Sequence, residues 1–294
     1  MSSSKPDPAP LLVIDGPSLL FRAFFALPKT IVGSDDQPVN ALLGGLNTVL
    51  RVVADYSPRA VVLCFGPDAA DYRTELYPPY HADRPPVPEE LAPQLAAAPD
   101  FYAAFGWLSE THDTLEADDL LGSFATTEAE AGGRTLILTG DRDMYQCADA
   151  NTTVLYLKTG TRGVEEVDAA EVRRRYGVPP DLVPDFIALR GDPSDGLPGG
   201  KGIGEKTAAD LLQRHGSLEA AIAGAVRERP ARVCAALRDG ADDLRAFKEI
   251  ATLQRAEVKR PPDRATDFAG GAQAARGRGM KRLAERLEGA SPQA

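Results

Sequence analysis

Four short apolar runs, set apart by stretches with helical spacing, restrict this chain more than any other feature. Leu11-Leu12-Val13-Ile14 stops at Asp15-Gly16. Ala60-Val61-Val62-Leu63-Cys64-Phe65 stops at Gly66-Pro67-Asp68. Arg134-Thr135-Leu136-Ile137-Leu138 stops at Thr139-Gly140-Asp141-Arg142-Asp143, and Thr153-Val154-Leu155-Tyr156-Leu157 makes a fourth. Runs this short and this apolar read as strands covered on both faces. After the first, Leu42, Leu43, Leu46, Val49, Leu50 and Val53 recur at helical spacing and predict a helix from Asn40 to about Asp55. The alternation predicts an α/β fold with a mainly parallel sheet flanked by helices. In such sheets the site lies outside the carboxyl ends of the strands. Asp15 and Asp141 fall there, on two different strands.

Acidic residues recur beyond those two. Glu116-Ala117-Asp118-Asp119 heads a helix whose Leu120, Leu121 and Phe124 face a core, although first-turn acids can simply compensate the helix dipole. Asp192 and Asp195 lie three apart in a stretch broken by Gly and Pro. Assembled, Asp15, Glu116, Asp118, Asp119, Asp141, Asp143, Asp192 and Asp195 would repel one another and titrate high unless cations neutralise them. Hard oxygen ligands without nearby His or Cys suit Mg²⁺ or Mn²⁺. Two such ions about 4 Å apart can activate a water and stabilise the leaving oxygen of a phosphodiester. The residue pattern ends at a two-metal phosphodiesterase.

The second of these acidic stretches runs into Gly199-Gly200-Lys201-Gly202-Ile203-Gly204 and then a helical Glu205-Lys206-Thr207-Ala208-Ala209-Asp210-Leu211-Leu212. Glycines ahead of a helix let backbone approach a phosphate, and the helix N-terminus offers free N–H groups. Lys201 and Lys206 add charge that steers phosphate without reading bases. The plain alternative is a loop with capping glycines and solvated charges. Between Asp71 and Pro86, Tyr72, Tyr77 and Tyr80 interleave with Arg73, His81 and Arg84, which suits stacking and backbone contact with a single strand. Without further context, that stretch is a proline-rich surface loop.

Composition excludes several other classes. The formal charge is −10, from 33 basic and 43 acidic residues, which argues against a generic basic nucleic-acid coat. No apolar run approaches the roughly 20 residues needed to span a bilayer. The first ten residues lack a signal-peptide pattern and read as a disordered tail. Cys64, Cys147 and Cys234 are far apart with no Cys/His spacing, so they read as reduced thiols of a cytosolic protein. His112 and His215 have no ligand-like partners in the sequence.

VIDG at 13–16, EADD at 116–119, TGDRD at 139–143 and GDPSDGLPGGKGIGEKTA at 191–208 resemble the 5′ nuclease, or flap endonuclease, family. That family includes the 5′–3′ exonuclease domain of bacterial DNA polymerase I. The resemblance runs from about Pro10 to Thr266 with the motifs in family order. It implies a PIN-like core over 11–190, with a helical arch at about 68–99 that admits a 5′ single strand. It further implies a helix–hairpin–helix-type region over 191–266 that grips duplex DNA through Gly200, Lys201, Gly202, Gly204, Lys206 and Thr207. The same hairpin often holds K⁺ through backbone carbonyls in the family. All eight acids above fall on the family's metal-site positions. Arg22 matches a basic residue near the scissile phosphate, Arg73 and Arg84 are placed on the substrate phosphate, and Tyr77 and Tyr80 line the gateway. The implied substrates are DNA flaps, nicks and primer junctions, with RNA–DNA hybrid among them. The expected protein is a monomeric, free-standing enzyme near the nucleoid.

Two positions depart from the family pattern. Its second strand ends in Phe-Asp, with that Asp in the metal cluster, whereas this chain has Gly66; Asp68 lies two residues on. Its arch carries Tyr-Lys-x-x-Arg, whereas this chain reads Tyr80-His81-Ala82-Asp83-Arg84, and a neutral histidine would supply less positive charge than a lysine thought to assist catalysis. These departures keep open a branched-DNA binding protein with weakened activity, and a PIN-type ribonuclease stands as a third reading. After the hairpin, short helices are expected from Leu218 to about Ala225 and from Ala231 to Leu237, then a longer one through Leu244, Phe247 and Ile250. From 267 to 294 a basic flexible tail is expected, with Leu283 and Leu287 hinting at a short final helix.

Overall fold

The computed structural model describes residues 8–158 and 163–290. Its six-stranded sheet runs in the order β3-β2-β1-β4-β5-β6. The strands are β1 (Leu11–Asp15), β2 (Ala60–Phe65), β3 (Leu108–Thr111), β4 (Thr135–Thr139), β5 (Thr152–Leu157) and β6 (Val164–Val167). The first five are parallel and β6 pairs antiparallel with β5. Alternation along the strands divides the core. Leu11, Val13, Val62 and Ile137 face one side, and Leu12, Ile14, Leu63 and Leu138 the other. The two strands without an apolar run, β3 and β6, lie at the sheet edges, where one side needs no partner and burial is incomplete.

Helices α1 (Gly16–Ala26), α2 (Asn40–Tyr56) and α4 (Ala92–Ala103) cover one face; α5 (Ala117–Glu130) covers the other. The region expected as an arch is helical only at α3 (Asp71–Leu76) and again from α4. Between them Pro78, Pro79, Pro85, Pro86 and Pro88 remove backbone donors and fix φ, so turns and extended chain replace a continuous helix. Past α6 (Ala169–Tyr176), a helical region follows: α7 (Val183–Arg190), α8 (Glu205–His215), α9 (Leu218–Ala223), α10 (Ala231–Asp239) and α11 (Ala241–Ala251).

The C-terminal end differs from the expected tail, and the expected N-terminal tail is described only from residue 8. Residues 1–7 of the N-terminal tail lie outside the described residues, and the Pro10 carbonyl already accepts the Arg59 N–H at 2.9 Å. At the C-terminal end, α12 (Phe268–Gly277) and α13 (Lys281–Ala290) form a helical hairpin in place of a flexible tail. Ala272, Ala275, Leu283, Ala284 and Leu287 are buried in the core half that holds α1 and α2. Their three- and four-residue spacing makes one small apolar face, which alanine and glycine obscure in the sequence. The strap leading to this hairpin is tied down where Arg264 N–H donates to the Arg59 carbonyl at 2.8 Å and Trp107 Nε1 donates to Thr266 at 3.0 Å.

Candidate active site

Asp15 ends β1 and caps α1, its Oδ1 accepting the Ser18 N–H at 2.9 Å. Its other oxygen accepts the Thr139 hydroxyl at 2.7 Å, and that hydroxyl accepts the Asp141 N–H at 2.9 Å. Asp141 Oδ1 in turn accepts the Asp143 N–H at 2.8 Å. One buried threonine thus ties the ends of two neighbouring strands, holding the Asp15 carboxylate and the Asp141 backbone. The sequence reading missed it, although the T of TGDRD was its signal. Arg22 joins from α1, donating to the Gly140 carbonyl at 2.7 Å.

Asp192 and Asp195 arrive from the loop after α7. Gly191 turns there at φ 85°, and an added Cβ would meet the Leu197 carbonyl at 2.7 Å. Asp192 Oδ1 accepts the Ser194 N–H at 2.9 Å, and Arg190 donates to Oδ2 at 3.0 Å. These acids feel one another. Burial, then the charge of Asp195, pushes Asp141 up to about 7. Burial, then Asp141, raises both Asp118 and Asp143 well above the ordinary carboxylate range. Burial also raises Asp15, against the hydrogen bonds from Ser18 and Thr139. Among the described residues, no three His, Cys, Asp or Glu side chains converge as a closed metal-ligand group. The carboxylates crowd without chelating one point. Buried, mutually repelling oxygens of this kind fit a hard divalent cation.

Glu116 and Asp119 are placed differently from that set. Asp119 is fully buried, and its oxygens accept from Arg73 at 3.0 Å, the Gln254 N–H at 2.8 Å and the Glu116 N–H at 3.2 Å. Glu116 accepts from the Ala70 N–H at 2.7 Å and from Tyr80 at 3.1 Å, and pairs with Arg73 at 2.5 Å. Their oxygens hold the base of the expected arch, because a buried guanidinium needs two acids to replace its water. Arg73 is therefore buried in an ion-pair cluster and not offered to a phosphate.

The remaining arch residues also fold onto the site. His81, held at φ 57°, has Nδ1 2.6 Å from the Asp68 carbonyl and Nε2 3.2 Å from Asp195 Oδ1. Arg84 donates to Asp195 at 2.9 Å and to Asp68 at 3.1 Å. Although burial works the other way, His81 and Arg84 hold Asp195 below its ordinary range. Asp68 is exposed and holds Arg84, so it does not stand in for the missing acid. A Cβ on Gly66 would lie 2.3 Å from the Leu115 carbonyl, which fills that space with backbone. Tyr80 is buried and stacked on His81 at 3.8 Å, and Tyr77 packs edge-on against Phe247 at 5.1 Å. The Tyr80 ring is closed to a base, and Tyr77 is half-buried.

The hairpin keeps its tip outward. Gly199 and Gly202 turn at φ 66° and 77°, Gly200 N–H donates to the Leu189 carbonyl at 2.9 Å, and buried Ile203 anchors the loop. Lys201, Gly202, Gly204 and Lys206 are exposed and Thr207 half-buried. Exposed Arg232 of α10 lies beside Gly202, within 3.2 Å of where its Cβ would be; no sequence spacing signalled that approach.

Two domain families match in succession: 5′-3′ exonuclease, N-terminal resolvase-like domain, over residues 10–177, and 5′-3′ exonuclease, C-terminal SAM fold, over 178–265. A 5′-3′ exonuclease of Streptomyces coelicolor is 40% identical over 236 residues, covering 76% of this chain and 77% of the relative. One from Mycobacterium tuberculosis is 38% identical over 237 residues, covering 74% of each. DNA polymerase I of the same organism is 37% identical over 213 residues, 72% of this chain but 24% of that protein. The chain thus spans about a quarter of the polymerase's length. Among solved structures, the T5 5′-exonuclease with bound divalent metal ions (zinc) superposes with TM-score 0.70 at 15% identity, covering 95% of this chain and 97% of that one. The catalytic core of Rad2 in complex with DNA substrate gives 0.63 at 12% identity, covering 97% and 93%. These two share the fold. With both domains matched in order and exonuclease relatives aligned over three quarters of their length, the chain belongs to the 5′-3′ exonuclease family.

Proposed function

We propose that this protein is a divalent-metal-dependent 5′ nuclease that hydrolyses DNA phosphodiester bonds in the 5′–3′ direction and cuts 5′ flaps at their junction, serving primer removal and repair. The observation that carries this is the crowding of Asp15, Asp118, Asp141, Asp143, Asp192 and Asp195, which raise or sense one another's protonation beside the strand ends. These six would hold two or more Mg²⁺ or Mn²⁺ ions. Bound there, divalent ions supply Lewis acidity, making water a better nucleophile and offsetting phosphate charge. Thr139 and Ser18 keep Asp15 and the Asp141 loop in register, and Arg22 adds positive charge beside them. Glu116, Asp119 and Arg73 act as the arch's foundation, while His81 and Arg84 seat it on Asp195. The hairpin takes duplex phosphates on exposed backbone at Gly202 and Gly204, with Lys201, Lys206 and Arg232 steering them and K⁺ held by its carbonyls. Substrates include nicks, primer junctions and RNA–DNA hybrid, and the working form is a monomer at the nucleoid.

A second reading, a branched-DNA binding protein with little activity, is favoured by the backbone that fills the space beside Gly66. A 5′-labelled DNA flap incubated with Mg²⁺, with Mn²⁺ and with chelator separates the two. Junction-sized products that need metal support the nuclease. Binding without product under either metal supports the second reading, and preferential cleavage of single-stranded RNA overturns both in favour of a ribonuclease.

A further inference from the structure

The arginines around the acids are paired: Arg73 with Glu116, Arg84 with Asp195, Arg175 with Glu171, Arg190 with Asp192. Arg142 differs. It is exposed and sits between Asp141 and Asp143, yet among the described residues no carboxylate lies within ion-pair distance of it. The reason is local. Asp141 is turned into a hydrogen bond with the Asp143 N–H, and Asp143 is buried, so both neighbours point their charge at the cluster while the cation between them is left outside. Its guanidinium rests on the Tyr156 ring, 5.6 Å from the centroid. Tyr156 is the register partner of Thr139, the residue that ties Asp15 to Asp141. Arg22 approaches the same ring at 5.8 Å. A chain of net charge −10 thus places at the rim of its most acidic site an arginine that has no carboxylate partner among the described residues and is propped on an aromatic ring.

Resting against Tyr156 limits where the guanidinium can swing, and the N–H groups that the tyrosine does not engage suit bidentate capture of a phosphate. We propose that Arg142, supported by Tyr156, binds a backbone phosphate next to the one engaged by the carboxylates. This rests on the nuclease reading and adds a substrate contact to it. The contact is electrostatic and blind to sequence.

The test is the affinity of a fluorescent 5′-flap DNA, with Ca²⁺ in place of Mg²⁺, measured over a range of salt for the parent, Arg142→Gln, Arg142→Lys and Tyr156→Leu. Arg174→Gln, which also removes an exposed arginine charge, is the control. Arg142→Gln should weaken binding about five- to tenfold and lower the salt slope by about one phosphate contact. Arg142→Lys should restore the slope and only part of the affinity, Tyr156→Leu should weaken binding with the slope kept, and Arg174→Gln should match the parent. If the parent binds and cuts the flap while Arg142→Gln keeps the parent's affinity and slope, the contact is refuted and the nuclease reading stands. A parent that neither binds nor cuts flap DNA overturns that reading, and this inference with it.

Discussion

Replacing one carboxylate oxygen of Asp141 by an amide should stabilise the metal-free protein while disabling it. Asp141→Asn keeps the shape of the side chain and an oxygen to accept the Asp143 N–H, but removes one negative charge from the crowd. Moving a carboxyl from its ordinary 3.8 up to about 7 penalises its charged form by about 4 kcal/mol, at about 1.4 kcal/mol per pH unit. Burial and three neighbouring acids share that penalty, so relief of about half, roughly 2 kcal/mol, is expected from this one change. For a chain of this size, that is a rise of about 4 °C in Tm. The sign follows from linkage. A folded-state value above the unfolded one contributes stability below pH ~4 that is lost as pH rises through ~7. The metal-free parent should therefore weaken over that window, and Asp141→Asn should gain on the parent as pH rises from ~4 to ~8. Thermal unfolding followed by circular dichroism, in chelator at pH 4.5 and pH 8, measures it. Added Mn²⁺ should raise the parent's Tm more than the variant's. An Asp141→Asn protein no more stable than the parent at pH 8 would refute the idea that these carboxylates repel one another.

Three further outcomes follow from the packing. Thr139→Val removes the hydroxyl that donates to Asp15 and accepts from Asp141, and should cost about 1–3 kcal/mol in thermal unfolding, whereas Thr139→Ser should recover most of it. Gly66→Ala places a methyl 2.3 Å from the Leu115 carbonyl, so chemical denaturation should report a loss of about 1–3 kcal/mol; an unchanged midpoint would mean that the loop before α5 yields freely. Leu283→Ala should destabilise by about 2–5 kcal/mol because α13 packs on the core, while a solvated tail would give no change.

Legibility from sequence followed burial and side-chain size. The buried strands β1, β2, β4 and β5 announced themselves as apolar runs, but β3 and β6 did not, since an edge strand keeps one side open and reads as LSET or VEEV. The helices after the hairpin were visible through Leu218, Val233, Leu244 and Phe247. Of the packed C-terminal hairpin only the final helix was hinted at, through Leu283 and Leu287, because much of its buried face is Gly and Ala and charge dominated the composition. At the site, the acids were legible one by one, but their division of labour was not. Nothing in EADD separates half-buried Asp118 from Asp119, which accepts from two distant segments, through Arg73 and the Gln254 N–H, as well as from the Glu116 N–H. Arg73, Tyr80 and His81 were assigned from aromatic and basic alternation read through the family's arch. That pattern is equally what a loop needs in order to lie down on a cluster of acids. Arg142 went unremarked because its distinction lies in the partners it lacks among the described residues.

The most direct test of the account is the rate at which Asp143→Asn cuts a 5′-labelled DNA flap in Mg²⁺, set beside the parent. Asp143 is buried at the centre of the carboxylate crowd, with Asp141, Asp195, Asp192 and Asp118 all raising its protonation. If that crowd is the catalytic centre, junction-sized product should fall by about three orders of magnitude or more, with flap binding retained. Cleavage at the parent's rate would contradict the assignment and place the chemistry elsewhere in the molecule.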